Sequence, residues 1–178
     1  TLLGVFKYVS PREELQSMYQ EREKKKAIEN FLQCLQKLNE LKIFNSQRDF
    51  TSQLGEWLIA EMYNAELAES GKQKDWDMKV GQTKIQVKTH SKAKTTKRAN
   101  TDFKYDENAN INIFIIVVFT DGYKLKTIYV LPWKVALKLK TTHTKDPVIT
   151  WSQIPNEYIV DLDKKLGHSD LLRSFLVS

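Results

Sequence analysis

At 178 residues, with 41% hydrophobic and 11% aromatic residues, the chain has the length and apolar content of one compact domain with a real core, which excludes a disordered chain. The longest apolar run, "IFIIVVF" at 113–119, falls far short of the about 18 residues of a membrane span. Net charge is +6, from 28 Lys and Arg against 22 Asp and Glu, a balance that favours an acidic partner such as nucleic acid.

The opening "TLLGVFKYVS" lacks a basic start and a long apolar stretch, so no secretory signal is expected. Cys34 is the only cysteine, so neither an intrachain disulfide nor a cysteine-based zinc site is expected, and a reducing cytoplasm is the simplest home. Its place between Phe31 and Leu35 predicts a buried, inert thiol.

"SPREE" opens a helix over 11–42, with Ser10 as N-cap, Pro11 at the first helical position and Glu13 closing a capping box. Ile28, Phe31, Leu32, Leu35, Leu38 and Leu41 recur at helical spacing. The charge-dense "EREKKK" at 21–26 is either an exposed section or a break. A second helix, with Thr51 near its N-cap, is predicted through "LGEWLIAEMYNAEL", where Leu54, Leu58, Met62 and Ala65 form an apolar line. "INIFIIVVFT" at 111–120 reads as a strand buried on both faces. "DG" at 121–122 turns it. "KLKTIYVL" at 124–131 is the next strand, and Pro132 begins a short amphipathic helix. "VITW", "EYIVDL" and a final helix near "SDLLRSFLV" are weaker elements. The predicted class is a single α/β domain, with helices covering a small mixed sheet and an N-terminal helical region over 1–48.

Between these elements lies "DWDMKVGQTKIQVKTH", residues 75–90. With Gly81-Gln82 as a two-residue turn, Asp77 faces Gln86 and Asp75 faces Lys88. Side chains alternate along a strand, so these four share one face, while Trp76, Val87, Met78 and Ile85 share the other. One side is fit for burial, and a one-residue slip would mix the two sets. A polar face of this kind is either ordinary solvated surface or a site.

"LGEWLIAEMYNAEL", then "DWDMKV", then "KIQVK", resembles the PD-(D/E)XK nuclease superfamily, in a Gln-x-Lys version of its (D/E)-x-Lys element. The match covers residues 50–140 and leaves both ends, 1–48 and 141–178, outside it. The resemblance implies a restriction-endonuclease-like core and a Mg²⁺-dependent deoxyribonuclease, with Mn²⁺ as a substitute metal. Asp77 would be a metal ligand, joined by the amide oxygen of Gln86, the carbonyl of Val87 and Glu56 from the helix. Lys88 would orient the attacking water and steady the charge on phosphorus. Asp75 is the fallback for Asp77. Gln86 supplies no negative charge, so metal affinity is expected to fall, and a domain that binds DNA without cutting is the alternative. A structural or protein-interaction domain is a further one. If both DNA strands are cut, a symmetric homodimer supplies the two sites economically.

The physics of that expectation is simple. A phosphodiester is an anion that repels hydroxide, and a hard cation held by oxygens offsets the repulsion. A fixed ammonium adds positive charge without a second metal. Lys92, Lys94, Lys97, Arg98 and Lys104 follow at once in a polar, loop-like stretch, where Thr95, Thr96 and Asn100 add hydrogen-bonding groups. These basic residues are the candidate contacts to the DNA backbone. His90 continues the polar face past Lys88, and a surface histidine at a strand end is its expected place. Glu61 and Glu66 are expected at the surface, and Trp57, Trp76, Trp133 and Trp151 in packing roles.

Overall fold

The computed structural model describes residues 10–40, 48–68, 75–91, 98–141 and 146–177. Helix α1 (Pro11–Glu40) begins at the predicted capping box. The Ser10 amide donates to Glu13 Oε2 at 2.8 Å, and the Glu13 amide donates to Ser10 Oγ at 3.3 Å. "EREKKK" is an exposed section of one unbroken helix. Leu15 and Met18, each 68% exposed, lie in its outer half. Ile28, Phe31, Leu32 and Leu35 pack inward. Cys34 is exposed, not buried, because it sits to one side of that stripe on a 3.6-residue turn. Leu41 lies outside the described residues.

Helix α2 (Arg48–Tyr63) starts before Thr51, so Thr51 is not its N-cap. The buried Thr51 hydroxyl instead lies 2.9 Å from Ser91 Oγ and 2.8 Å from Tyr123 Oη. The helix also stops earlier than expected. Asn64 turns into the left-handed region at φ 51°, and the two-residue strand β1 (Glu66–Leu67) follows. Asn is among the few residues that tolerate this conformation.

Strands β2 (Met78–Val80) and β3 (Thr83–His90) form the predicted hairpin about Gly81-Gln82, and Gly81 takes φ +58°. Met78 pairs with Ile85 and Val80 with Thr83, the expected register. Strand β4 (Asn100–Asp102) lies inside the stretch expected to be loop. Strands β5 (Ile113–Phe119) and β6 (Leu125–Pro132) are antiparallel neighbours. Helix α3 (Trp133–Leu139) follows Pro132, as expected. Strand β7 (Val148–Thr150), 3-10 turns at Trp151–Gln153 and Asn156–Tyr158, and the short helices α4 (Leu162–Leu166) and α5 (Asp170–Arg173) complete the chain.

The fold is mixed α/β. Five strands pair in the order β1-β2-β3-β5-β6, with β3 and β5 parallel and the other neighbours antiparallel. β4 and β7 form a separate antiparallel pair. Strand β5 is buried on both faces, which explains its uninterrupted apolar sequence. Ile115, Val117 and Phe119 enter one core with Leu58, Ile59, Val87 and Phe175. Phe114, Ile116 and Val118 enter the other with Phe103, Trp133, Ile149 and Trp151. Because β3 runs in register with β5, Gln86, Lys88 and His90 sit beside Phe114, Ile116 and Val118. The polar row therefore belongs to the second face. Among the described residues, no helix is long and apolar enough to cross a membrane.

Candidate functional site

The hairpin ladder ends at the pair Met78–Ile85, one residue after Asp77. Both Asp77 and Met78 fall opposite Ile85, since the Asp77 amide donates to Ile85 O at 2.9 Å while Met78 is the ladder partner. Two residues against one is a bulge, and a bulge re-aims the side chain it carries. The Asp77 carboxylate takes over the next ladder position, where its Oδ2 accepts the Val87 amide at 2.7 Å. The same oxygen accepts Gln86 Nε2 at 2.6 Å, and that nitrogen also donates to Val87 O at 3.2 Å. Asp77 and Gln86 are thus brought together as expected, by side-chain bonding in place of strand pairing. The expected facing of Asp75 and Lys88 is not part of the ladder, because β2 begins only at Met78.

Helix α2 crosses β3 at the point where Gly55 meets Thr89. A Cβ on Gly55 would collide with the Thr89 side chain, so only glycine permits this approach. The residue after Gly55 is Glu56. Its carboxyl pKa is raised, first by burial and then by the negative charge of Asp77, with Lys88 pulling it down. Asp77 is also raised by burial, against the lowering effects of the Val87 amide, the Lys88 charge and the Gln86 amide. Glu56, Asp77, Gln86 and Lys88 therefore form one electrostatic group drawn from α2, the bulge and β3. Glu61 and Glu66 stand apart from it, each in an ion pair, with Lys24 at 3.3 Å and Lys79 at 3.1 Å.

His90 is not a surface histidine. Its Nε2 lies 2.9 Å from the Thr101 hydroxyl, and its ring centroid is 5.2 Å from that of Trp151. Trp151 Nε1 donates to the same Thr101 oxygen at 2.8 Å. Thr101 is fully buried, and it comes from β4, the strand that the sequence disguised as loop. Burial and the nearby Arg98 charge lower the imidazole pKa to about 4, with Asp102 opposing and Lys88 adding to the fall. His90 is neutral at pH 7.

Tyr105 is the site residue that the sequence reading missed. Lys88 Nζ lies over its ring, 5.4 Å from the centroid. Burial raises the phenol pKa, and the charges of Asp77 and Asp75 raise it further. A signal for it was present: in "TDFKY" the buried residues Thr101 and Phe103 alternate with the exposed Asp102 and Lys104, and the next inward position is 105.

Of the expected backbone contacts, Lys92, Lys94 and Lys97, with Thr95 and Thr96, lie outside the described residues. Arg98 pairs with Asp102 at 2.9 Å and donates through Nε to Asn100 O at 2.9 Å. Lys104 pairs with Asp146 at 2.7 Å. These pairs are exposed, and such pairs are worth about 0–1 kcal/mol, so a phosphate can compete for either cation.

The oxygen donors are hard ones: the Glu56 and Asp77 carboxylates, the Gln86 amide oxygen and the Val87 carbonyl. That set fits Mg²⁺, which keeps several waters and takes one or two protein carboxylates. Among the described residues there is no cluster of three or more His, Cys, Asp or Glu able to hold a metal. A bound ion would rest on two acids and neutral oxygens. Comparison with family models and with curated protein sequences gave no match.

Proposed function

We propose that the chain is a metal-dependent deoxyribonuclease of the PD-(D/E)XK kind, with a restriction-endonuclease-like core, acting on DNA as an endonuclease. One observation carries the reading. Asp77 is held by the Val87 amide and Gln86 at the edge of β3, where its charge and that of Lys88 both act on Glu56. Two half-buried carboxylates with raised pKa values are a costly arrangement unless a cation joins them.

Asp77, Glu56, Gln86 Oε1 and the Val87 carbonyl are the groups that would hold Mg²⁺ or Mn²⁺. When bound, the ion lowers the pKa of water and offsets the phosphodiester charge. Gln86 fixes the orientation of Asp77 through its amide. Lys88 places its ammonium beside the polar row, where it can stabilise the charge that builds on the phosphate oxygens as the bond to water forms and the bond to the leaving sugar oxygen breaks. Arg98 and Lys104, with the rest of the basic stretch, supply phosphate contacts that set register along the strand. Two copies in a symmetric homodimer would cut both strands, and a restriction system in the cytoplasm is the setting that suits such an enzyme.

A second reading has its own observation. The Gln86 group closest to Asp77 is the amide nitrogen, a donor, where an acid would add a metal ligand. A DNA-binding module that does not cut is consistent with it. Supercoiled plasmid incubated with the protein in Mg²⁺, in Mn²⁺ and in EDTA separates the two. Nicked or linear product in either metal, absent in EDTA, is the nuclease result. Retained DNA binding, with no cleavage and no heat of Mg²⁺ or Mn²⁺ binding by calorimetry, is the result for the silent module.

A further inference from the structure

Lys88 is held in an unusual way for a half-buried cation. Among the described residues, no carboxylate lies within ion-pair distance of its Nζ, and the ammonium lies over the Tyr105 ring, 5.4 Å from its centroid. An ion pair and an aromatic ring both orient an ammonium, but they leave it in different states. A carboxylate neutralises the charge it holds. A ring attracts the ammonium through its quadrupole, adds no net charge, and leaves the full positive charge to act elsewhere.

The ring is itself fixed. Tyr105 meets Phe103 edge-on at 5.5 Å, Phe114 edge-on at 5.8 Å and Trp133 edge-on at 6.0 Å. Phe114 and Trp133 belong to the second core, built on β5 and α3. The position of the ammonium is thus tied to the interior of the fold through edge-on aromatic contacts, a rigid support that a flexible four-carbon side chain lacks by itself.

We infer that Tyr105 is the positioning residue for Lys88: its ring face holds the ammonium on the polar face that Lys88 shares with Gln86 without neutralising it, so that the charge stays available to an anionic phosphodiester. This rests on the nuclease reading for its consequence, while the ring–ammonium pairing stands on geometry alone. The work lies in the ring and not in the hydroxyl.

The test uses the full chain and two readouts. The first is the ring-current displacement of the Lys88 ε-methylene resonances by NMR, which needs no activity. The second is the single-turnover cleavage rate of duplex DNA in Mg²⁺, with KM followed beside it. Tyr105→Phe should keep the displacement and stay within about threefold of the wild-type rate. Tyr105→Leu should lose the displacement and about ten- to thirtyfold in rate, the range expected from a partly desolvated cation–π contact, with KM little changed. Should Tyr105→Leu fail to fold, phenylalanines of increasing fluorination at position 105 keep the shape while weakening the quadrupole, and the rate should fall stepwise along that series. A Tyr105→Leu protein that cuts like wild type, a flat fluorination series, or a Tyr105→Phe protein as impaired as Tyr105→Leu overturns the inference. A displaced Lys88 resonance in a wild-type protein that never cuts DNA sinks the nuclease reading and leaves the ring–ammonium pairing in place. Cleavage by a wild-type protein whose Lys88 resonance is undisplaced does the reverse.

Discussion

Gly55 of α2 and Thr89 of β3 touch so closely that no Cβ fits between them. The contact is flanked by Glu56 on the helix and by Lys88 and His90 on the strand. Among the described residues, no group hydrogen-bonds to Thr89 Oγ1, which is buried at this contact. Gly55→Ala should force the two elements apart. Overpacking of this kind costs about 1–3 kcal/mol, more than the helix propensity that alanine returns. The expected outcome is a lower midpoint in urea, with cleavage reduced further than stability alone explains because Glu56 moves with the helix. A variant as stable and active as wild type would show that the approach is not needed.

Asp77 should trade stability for function. Its pKa is raised by burial, so the folded state holds its proton to a higher pH than the unfolded chain does. With that sign the ionised carboxylate opposes folding at neutral pH, and the strain lessens as pH falls through its folded pKa. Asp77→Asn removes the charge and keeps an oxygen able to accept the Val87 amide. Thermal unfolding at about pH 7 should therefore show a Tm no lower than wild type, while metal-dependent cleavage falls roughly hundred- to thousandfold. A clear drop in Tm would mean that the charge itself supports the fold.

His90 carries the opposite sign. The unfolded imidazole takes up a proton near its ordinary value, but the folded one does so only at about 4, with Lys88, Arg98 and Asp102 as the charged groups that act on it. Between those two values the unfolded chain binds more protons, so stability must fall as pH drops through that window. His90→Gln can keep the contact to the Thr101 hydroxyl without titrating. Chemical denaturation at about pH 7 and about pH 4.5 should show a smaller loss for His90→Gln than for wild type. Equal losses would mean that His90 is not the group responsible.

Thr101 links β4 to the site's far end. Its hydroxyl meets both His90 and Trp151 Nε1 in a fully buried position. Thr101→Val preserves the shape and strands the indole N–H. That should cost about 1–3 kcal/mol, read as a shifted urea midpoint. An unchanged midpoint would show that the polar contacts contribute nothing net.

Local chemistry was legible from the sequence, and tertiary rearrangement was not. The Ser10–Glu13 capping box and the Gly81 turn depend on neighbouring residues alone, and both formed as expected. The uninterrupted apolar run at 113–119 announced a strand covered on both sides. The bulge at Asp77 was hidden, because nothing in "DWDM" says that a side chain will replace a backbone partner in the ladder. β4 was hidden for a similar reason. Its pairing with β7 closes across nearly fifty residues, while its own three residues, Asn100, Thr101 and Asp102, are short and polar inside a basic stretch. His90 was misplaced as a result, since its burial depends on Thr101 and Trp151, two residues brought in by that distant pairing. Cys34 was misplaced by reading adjacency to Phe31 and Leu35 as burial, when helical geometry sets it aside.

The most direct test compares three proteins on one labelled duplex in Mg²⁺: wild type, Asp77→Asn and Lys88→Ala, each shown to be folded and to bind DNA. The proposed phosphodiesterase site predicts product from wild type alone, abolished by EDTA. Cleavage by either variant at the wild-type rate, or none by wild type in Mg²⁺ or Mn²⁺, would contradict it.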